Sequence, residues 1–399
     1  MKIATAITTA VAGDEQPREL AGQVRAALGA APVDLCLLFA SAHFEDRLEE
    51  LAQALHEQLP ARAFIGVTAE AVIGGELEYE HQPALVVWAA HLPGVQLTSF
   101  HLSAEDLQRL ESATQVQEYL NLSADAQPYF VVLADPFTFN PTPALLTLLD
   151  RLHDAYPGRP VIGGLASAAE EPGQNRLVFD GQVLRHGLVG VALWGNVHVH
   201  AVVSQGCRPI GQHMVITRAD RNVIYELGGK PPLQVVKQLL GAIAPRDRQL
   251  LQQRGLLVGY AANEYQKSFR RGDFVIRNPI GFDAGSGAMA VNDLIRTGQT
   301  VQFHVRDGRS ASEDLDALVA PIRRRPTAGA LLFSCNGRGT HLFNHRHHDA
   351  RAVHDAGGHI PVAGFFCAGE IGPVGQRNFL HGHTASIGFF QPAEPASDA

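Results

Sequence analysis

Three times along this chain a buried strand, a helix and a second strand follow one another, and each time a glycine stands in the second strand about 32 residues after the first strand begins. No other feature narrows the possible fold as far. The first unit opens with Asp34–Ala40 (DLCLLFA), an apolar run suited to a strand covered on both faces. Phe44, Leu48, Leu51, Leu55 and Leu59 then recur at three- and four-residue spacing, one apolar stripe on a charged helix that Pro60 ends. Phe64–Thr68 is its second strand. The second unit reads Tyr129–Ala134, a helix over Pro143–Tyr156 and Val161–Leu165; the third reads Ala330–Ser334, a helix over Thr340–Ala356 and Ile360–Phe366. The glycines are Gly66, Gly163 and Gly364. Each second strand runs into a loop of small residues (TAEAVIGG, ASAAEEPG, CAGEIGPVG), and an apolar strand follows at Ala84–Ala90, Leu188–Trp194 and Ser386–Phe390. A glycine and a small-residue loop at one fixed offset, three times over, indicate duplication.

This alternation predicts an α/β protein of mixed sheets flanked by helices, in two related halves. The 399 residues suit two or three domains. The division expected is 1–217 and 218–391, with a disordered polar tail over 392–399. Between the repeats, Val197–Ser204 alternates, and Gln212–Thr217 with Val223–Leu227 forms a hairpin; Pro232–Leu240, Pro245–Arg254 and Ser310–Arg325 are helical. Only 18% of residues are charged and 46% are hydrophobic, which excludes a disordered chain. A net charge of −8 with no basic block beyond Arg323–Arg325 argues against nucleic acid as a partner. No apolar run is long enough for a bilayer, so no membrane partner is expected. Four scattered cysteines and no leader at the start place the chain in a reducing cytoplasm.

Chemistry concentrates in the third unit. Ser334-Cys335-Asn336-Gly337-Arg338-Gly339 lies where a buried strand hands over to a helix, a junction whose free N–H groups favour an anion. Cys367-Ala368-Gly369-Glu370 ends the companion strand, and parallel strands bring both loops to one sheet edge, where small molecules collect. Arg338 and Glu370 then make complementary poles for an amino-acid-like ligand, or they pair with each other. Asn336 and the 335–339 amides complete the cradle. A thiol such as Cys335 at a helix start is activated, which leaves open a cysteine-dependent enzyme with a histidine base, although no Cys/His signature accompanies it. His341, His345 and His348 would share one solvated helix face opposite Leu342, Phe343, Ala350 and Val353; no resident metal or cofactor is expected. Gly281–Gly287 lacks the Gly-Lys-Ser ending of a phosphate loop and reads as a turn.

The segments SCNGRG (334–339) and GFFCAGEIGP (364–373), with FVIRNPIGFD (274–283) and LLVGYAAN (256–263), resemble the C-terminal half of the FIST domain; FIGVTAEAVIGG (64–75) and VIGGLAS (161–167) resemble its N-terminal half. The resemblance implies an intracellular sensory module that recognises a small polar metabolite such as an amino acid, without converting it, and reports to a signalling protein. A scaffold acting through protein contact is the other alternative. Carried over by position, the family's motif residues fall on Arg277, Cys335, Gly337, Arg338, Gly369 and Glu370, and Asn336 and Cys367 join them as binding candidates. The family's first-half loop carries a Gly-Glu pair, whereas here Glu70 precedes Ala71.

Overall fold

A computed structural model describes residues 1–11, 13–139 and 143–393. Residues 394–399 of the tail expected to be disordered lie outside the described residues. The chain gathers into two compact units: unit 1 takes Met1–Val203, Leu315–Leu380 and the chain from Thr384, and unit 2 takes Ser204–Asp314 with His381–His383. These units cut the chain differently from the sequence halves, because the third repeat joins the first two in unit 1.

Unit 1 opens with β1 (Lys2–Thr8) and α1 (Gln16–Leu28). The first repeat is β2 (Val33–Ser41), α2 (Leu48–Gln58), β3 (Ala61–Ala69), the hairpin β4 (Val72–Gly74)–β5 (Leu77–Tyr79), and β6 (Leu85–His91). After β7 (Val95–Leu102), α3 (Ala104–Arg109) and α4 (Ala113–Leu120), the second is β8 (Tyr129–Ala134), α5 (Pro143–Ala155), β9 (Val161–Leu165), the hairpin β10 (Leu177–Phe179)–β11 (Gln182–Leu184), and β12 (Leu188–Gly195). β13 (His198–Gln205) leads into unit 2, which holds β14 (Cys207–Asp220), β15 (Val223–Leu227), α6 (Pro232–Ala242), α7 (Pro245–Arg254), β16 (Leu257–Ala261), β17 (Phe274–Arg277), β18 (Pro279–Phe282), β19 (Met289–Val291) and β20 (Thr300–Arg306). α8 (Gly308–Val319) returns to the third repeat: β21 (Gly329–Cys335), α9 (His348–Ala356), β22 (Val362–Cys367), the hairpin β23 (Glu370–Val374)–β24 (Arg377–His381), and β25 (Thr384–Gln391).

In each repeat the two strands flanking the helix pair in parallel and the last strand returns antiparallel to the first. The hairpins, however, leave their own repeats. β4–β5 of the first extends the third sheet beyond β22, β10–β11 of the second extends the first beyond β3, and β23–β24 of the third extends the second beyond β9. The opposite edges run the other way round: β7, after the first repeat, pairs with β12 of the second, β13, after the second, pairs with β25 of the third, and the N-terminal β1 pairs with β6 of the first. Three six-stranded sheets result, each built from two repeats.

The repeat glycines occupy one equivalent position in the three parallel pairs. Gly66 lies opposite Leu38, Gly163 opposite Val132 and Gly364 opposite Leu332. A Cβ there would stand 2.5, 1.8 and 1.7 Å from the carbonyl oxygen of that partner. Only a residue without a side chain lets the two backbones approach this closely.

Inward-facing residues of all three sheets form one shared core, among them Phe39, Val67, Val131, Leu133, Phe333 and Phe365. Outward-facing residues pack under each repeat's helix in separate clusters, such as Leu48, Leu51 and Leu55 in the first and Ala350 and Val353 in the third. Unit 2 is one seven-stranded sheet in the order β17-β16-β20-β14-β15-β19-β18 with its own core around Ile216, Phe303 and Val305. The expected hairpin is present as β14–β15; of the segment expected as a turn, Gly281 and Phe282 end β18 and residues 283–288 make the turn into β19. The helix expected over Thr340–Ala356 is shorter: Gly339–His341 is one 3-10 turn and α9 starts at His348, after His347 in a left-handed conformation (φ 65°). A non-glycine residue at positive φ interrupts the helix, so His341, His345 and His348 do not share a helix face. Among the described residues no helix is long and apolar enough to cross a membrane.

Candidate functional site

β21 and β22 end in register, with Cys335 opposite Cys367, and the amide of Asn336 donates to the Cys367 carbonyl at 3.0 Å. The two loops singled out in the sequence therefore share one edge of the third sheet. Their amides are largely engaged within the chain: Arg338 N donates to Cys335 O at 2.7 Å and Gly337 N to Cys335 Sγ at 3.5 Å. The amides of residues 336–338 thus do not form the free anion cradle expected of them.

Arg338 has a fully buried partner that the sequence reading missed. Its Nε and Nη2 donate to Asp349 Oδ2 and Oδ1 at 2.6 and 2.8 Å, a two-pronged pair with both side chains at most 1% exposed. Neither a ligand carboxylate nor Glu370 takes this fork. Ser334 Oγ also donates to Asp349, at 2.9 Å. Burial alone raises a carboxyl pKa, but the adjacent Arg338 overrides it and holds Asp349 well below the usual range. Nη1 of Arg338 is buried with no hydrogen-bond partner among the described residues.

The exchanged hairpin β4–β5 brings two further carboxylates. Glu78 Oε1 accepts the amides of Asp349 and Ala350 at 2.9 and 3.0 Å, capping the start of α9. Burial, with Asp349 and Glu80 nearby, pushes the Glu78 carboxyl up to about 7. Glu80 Oε2 accepts from the amide and hydroxyl of Thr340 at 3.1 and 2.7 Å. Glu70, Glu80, His81, Asn336 and His341 line a cleft of about 10 Å³ beside this clamp, room for about one water. Among the described residues, the buried Asn336 Oδ1 has no hydrogen-bond partner.

Glu370 is fully buried, and its Oε2 accepts the Thr384 amide and hydroxyl at 2.9 and 2.7 Å. Burial lifts its carboxyl to about 7, against the pull of Thr384, the Cys335 thiol and Arg338. A carboxyl whose pKa is raised on folding from 4.5 to about 7 keeps its proton in the native state across that interval. It therefore subtracts stability as pH rises from about 4.5 to about 7 and no further above. Replacing Glu370 by Gln removes this term. The stability difference, Glu370→Gln minus native, is expected to grow by on the order of 3 kcal/mol between pH 5 and pH 8, read by urea unfolding. An equal difference at both pH values would show that Glu370 is ionised throughout. Cys367 is buried, and burial with Glu370 and Cys335 beside it raises its thiol pKa well above the ordinary value; Cys335 is partly exposed.

Unit 1 thus brings Cys335, Asn336, Gly337, Arg338, Cys367, Gly369 and Glu370 to one sheet edge. Arg277 belongs to unit 2. There its Nε donates to Asp293 at 2.7 Å and its Nη2 to the Tyr260 hydroxyl at 3.2 Å. Glu78, Glu80 and Thr340 were missed because the hairpin contact spans about 260–270 residues, a separation no local pattern registers; Asp349, 11 residues from Arg338, was missed because the turn between them breaks the helical spacing.

Uncharacterized proteins of Mycobacterium tuberculosis and Mycobacterium bovis are 39% and 38% identical over 393 residues, covering 98% of this chain and 100% and 99% of theirs. An uncharacterized protein of Methanocaldococcus jannaschii is 24% identical over 123 residues, 31% of this chain and 22% of its own. Residues 34–230 match the FIST N domain and residues 232–373 the FIST C domain. The chain belongs to the FIST family, whose domains are described as sensory domains that bind small ligands in signal transduction.

Proposed function

We propose that this chain senses a small metabolite bearing both a carboxylate and an amine, an amino acid or a close analogue, at the cleft between Thr340 and Asn336. One observation carries the reading: the Thr340 amide and hydroxyl already hold a carboxylate, that of Glu80, which lines a cleft together with Asn336, whose Oδ1 has no partner among the described residues. Glu80 stands in for the acid group of a ligand. The cleft admits an amino acid only when Glu80 swings out, which its partial exposure allows. The incoming carboxylate takes over Thr340, while Asn336 Oδ1 and the exposed Glu70 accept from the ammonium. Glu370, sealed and bonded to Thr384, is left with the role of a positioning group beneath Cys335. Withdrawal of Glu80 releases the turn that follows β5, and that movement is the signal a partner protein reads.

Calorimetric titration with the common L-amino acids tests this. At least one is expected to bind the native protein. Asn336→Ala should weaken it about tenfold or more, as loss of a charge-assisted hydrogen bond costs roughly 1.5–3 kcal/mol. Glu80→Ala should tighten it, because the internal competitor is gone. If no amino acid binds either the native protein or Glu80→Ala, or if both substitutions leave the affinity unchanged, the reading fails.

A further inference from the structure

The last turn of α9 and the turn before β22 hold three side chains that the sensory reading does not use. His354 Nδ1 lies 3.2 Å from Asp355 Oδ1 and 3.4 Å from His359 Nδ1, and His359 Nδ1 lies 3.4 Å from the same Asp355 oxygen. Four-coordinate zinc binds histidine nitrogen and carboxylate oxygen at about 2.0–2.1 Å, and the edge of a tetrahedron is about 1.63 times its centre-to-corner distance, so neighbouring ligand atoms stand about 3.3–3.4 Å apart. The three atoms already have the spacing of one tetrahedral face.

We propose that His354, Asp355 and His359 form a binding site for a divalent transition-metal ion, Zn²⁺ being the ion best suited to two imidazoles and one carboxylate. Hydrogen bonding accounts for the cluster only in a mixed state, with one Nδ1 protonated and shared between the Asp355 carboxylate and the other imidazole nitrogen; with both protonated the N–H groups crowd each other at 3.4 Å, and with neither two lone pairs and a carboxylate converge. A cation at the centre satisfies all three. His359 reaches the helix end because its own backbone is left-handed (φ 66°) and its amide donates to the His354 carbonyl at 3.0 Å. The side chains are 18%, 57% and 78% exposed in chain order, so an ion enters from solvent and keeps water in the fourth position. Bound metal would tie α9 directly to the start of β22 across the turn at 357–361. His354 and His359 are five residues apart with the end of α9 between them, a spacing that neither a helical nor a strand period brings together.

The test uses the full chain without a polyhistidine tag, freed of metal, titrated with Zn²⁺ by calorimetry and with Co²⁺ by visible absorption. One Zn²⁺ per chain and the intense visible bands of tetrahedral Co²⁺ are expected. His359→Ala and Asp355→Asn, both at exposed positions, should each weaken binding by at least about 10- to 100-fold. His345→Ala, in the neighbouring His345/His348 pair (ring centroids 5.1 Å apart), should leave it unchanged. Absence of binding, a faint octahedral Co²⁺ spectrum, or loss of the site in His345→Ala with retention in His359→Ala would each overturn the proposal. None of these outcomes bears on the amino-acid cleft.

Discussion

Gly364→Ala and Gly163→Ala are each expected to stop the chain accumulating as folded protein, while Gly66→Ala folds with reduced stability. The ranking follows from where the added methyl group would fall. At 364 and 163 its carbon would lie 1.7 and 1.8 Å from the carbonyl oxygens of Leu332 and Val132. That obstacle is backbone in a parallel pair buried on both faces, so relief requires prising apart two strands of the shared core. No rotamer change helps. At 66 the nearest atom, Leu38 O, is 2.5 Å away, and a smaller shift suffices. Overpacking that the surroundings can absorb costs typically about 1–3 kcal/mol, and losses above about 4–5 kcal/mol come from defects of the first kind. Gly22→Ala supplies the control: it lies within α1 with nothing in contact range, and alanine there should be neutral or stabilising by up to about 1 kcal/mol. Soluble yield, circular dichroism and urea midpoints for the four variants give the order. A native-like midpoint for Gly364→Ala would mean that β21 and β22 do not approach as closely as described, and with it would fall the structural reason for a glycine at this offset in every repeat.

These glycines also show what was legible in the sequence. Strand, helix and strand came through three times because each rests on short-range signals: apolar runs, a helical stripe, a proline stop and a residue type that only close backbone contact requires. The carboxyl-edge meeting of the Cys335 and Cys367 loops followed from the parallel pairing of a strand–helix–strand unit. The exchange of hairpins did not follow from anything local. β4, β10 and β23 are short, and nothing in VIG, LVF or EIGPV says that each pairs outside its own repeat. Everything that depends on the exchange was therefore invisible, including Glu78 at the start of α9 and Glu80 on Thr340. The boundary of α9 was misjudged for the same reason. Apolar periodicity continues upstream of His348, yet the cap arrives from Glu78, about 270 residues earlier in the chain. The histidines at 341, 345 and 348 share one face only on a continuous helix, and α9 begins at the last of them.

Arg338→Ala is expected to lower stability by about 3–5 kcal/mol, because it strands the Asp349 carboxylate in a site with no access to water. Asp349→Ala should cost a similar amount by stranding the guanidinium. Arg338→Met combined with Asp349→Leu removes both charges and fills most of the volume, and it should recover much of either loss, since a buried pair replaced by apolar groups is often close to neutral. Arg338→Lys should not rescue, because an ammonium cannot make the two parallel hydrogen bonds of 2.6 and 2.8 Å. Urea unfolding of these variants, with Arg338→Met and Asp349→Leu also made singly to complete the cycle, tests this, and a strongly non-additive double substitution is the signature sought. The measurement separates two roles that the sequence left together. A guanidinium whose main task was to grip a ligand would lose binding on truncation and leave the unfolding midpoint in place. One clamped between β21 and α9 moves the midpoint in the absence of any ligand. Placement of the fork on Asp349 predicts the second result, and it confines ligand contact by Arg338 to Nη1, which has no hydrogen-bond partner among the described residues. An unchanged midpoint for Arg338→Ala would return the whole guanidinium to the candidate site and reopen its use as the acid-binding pole.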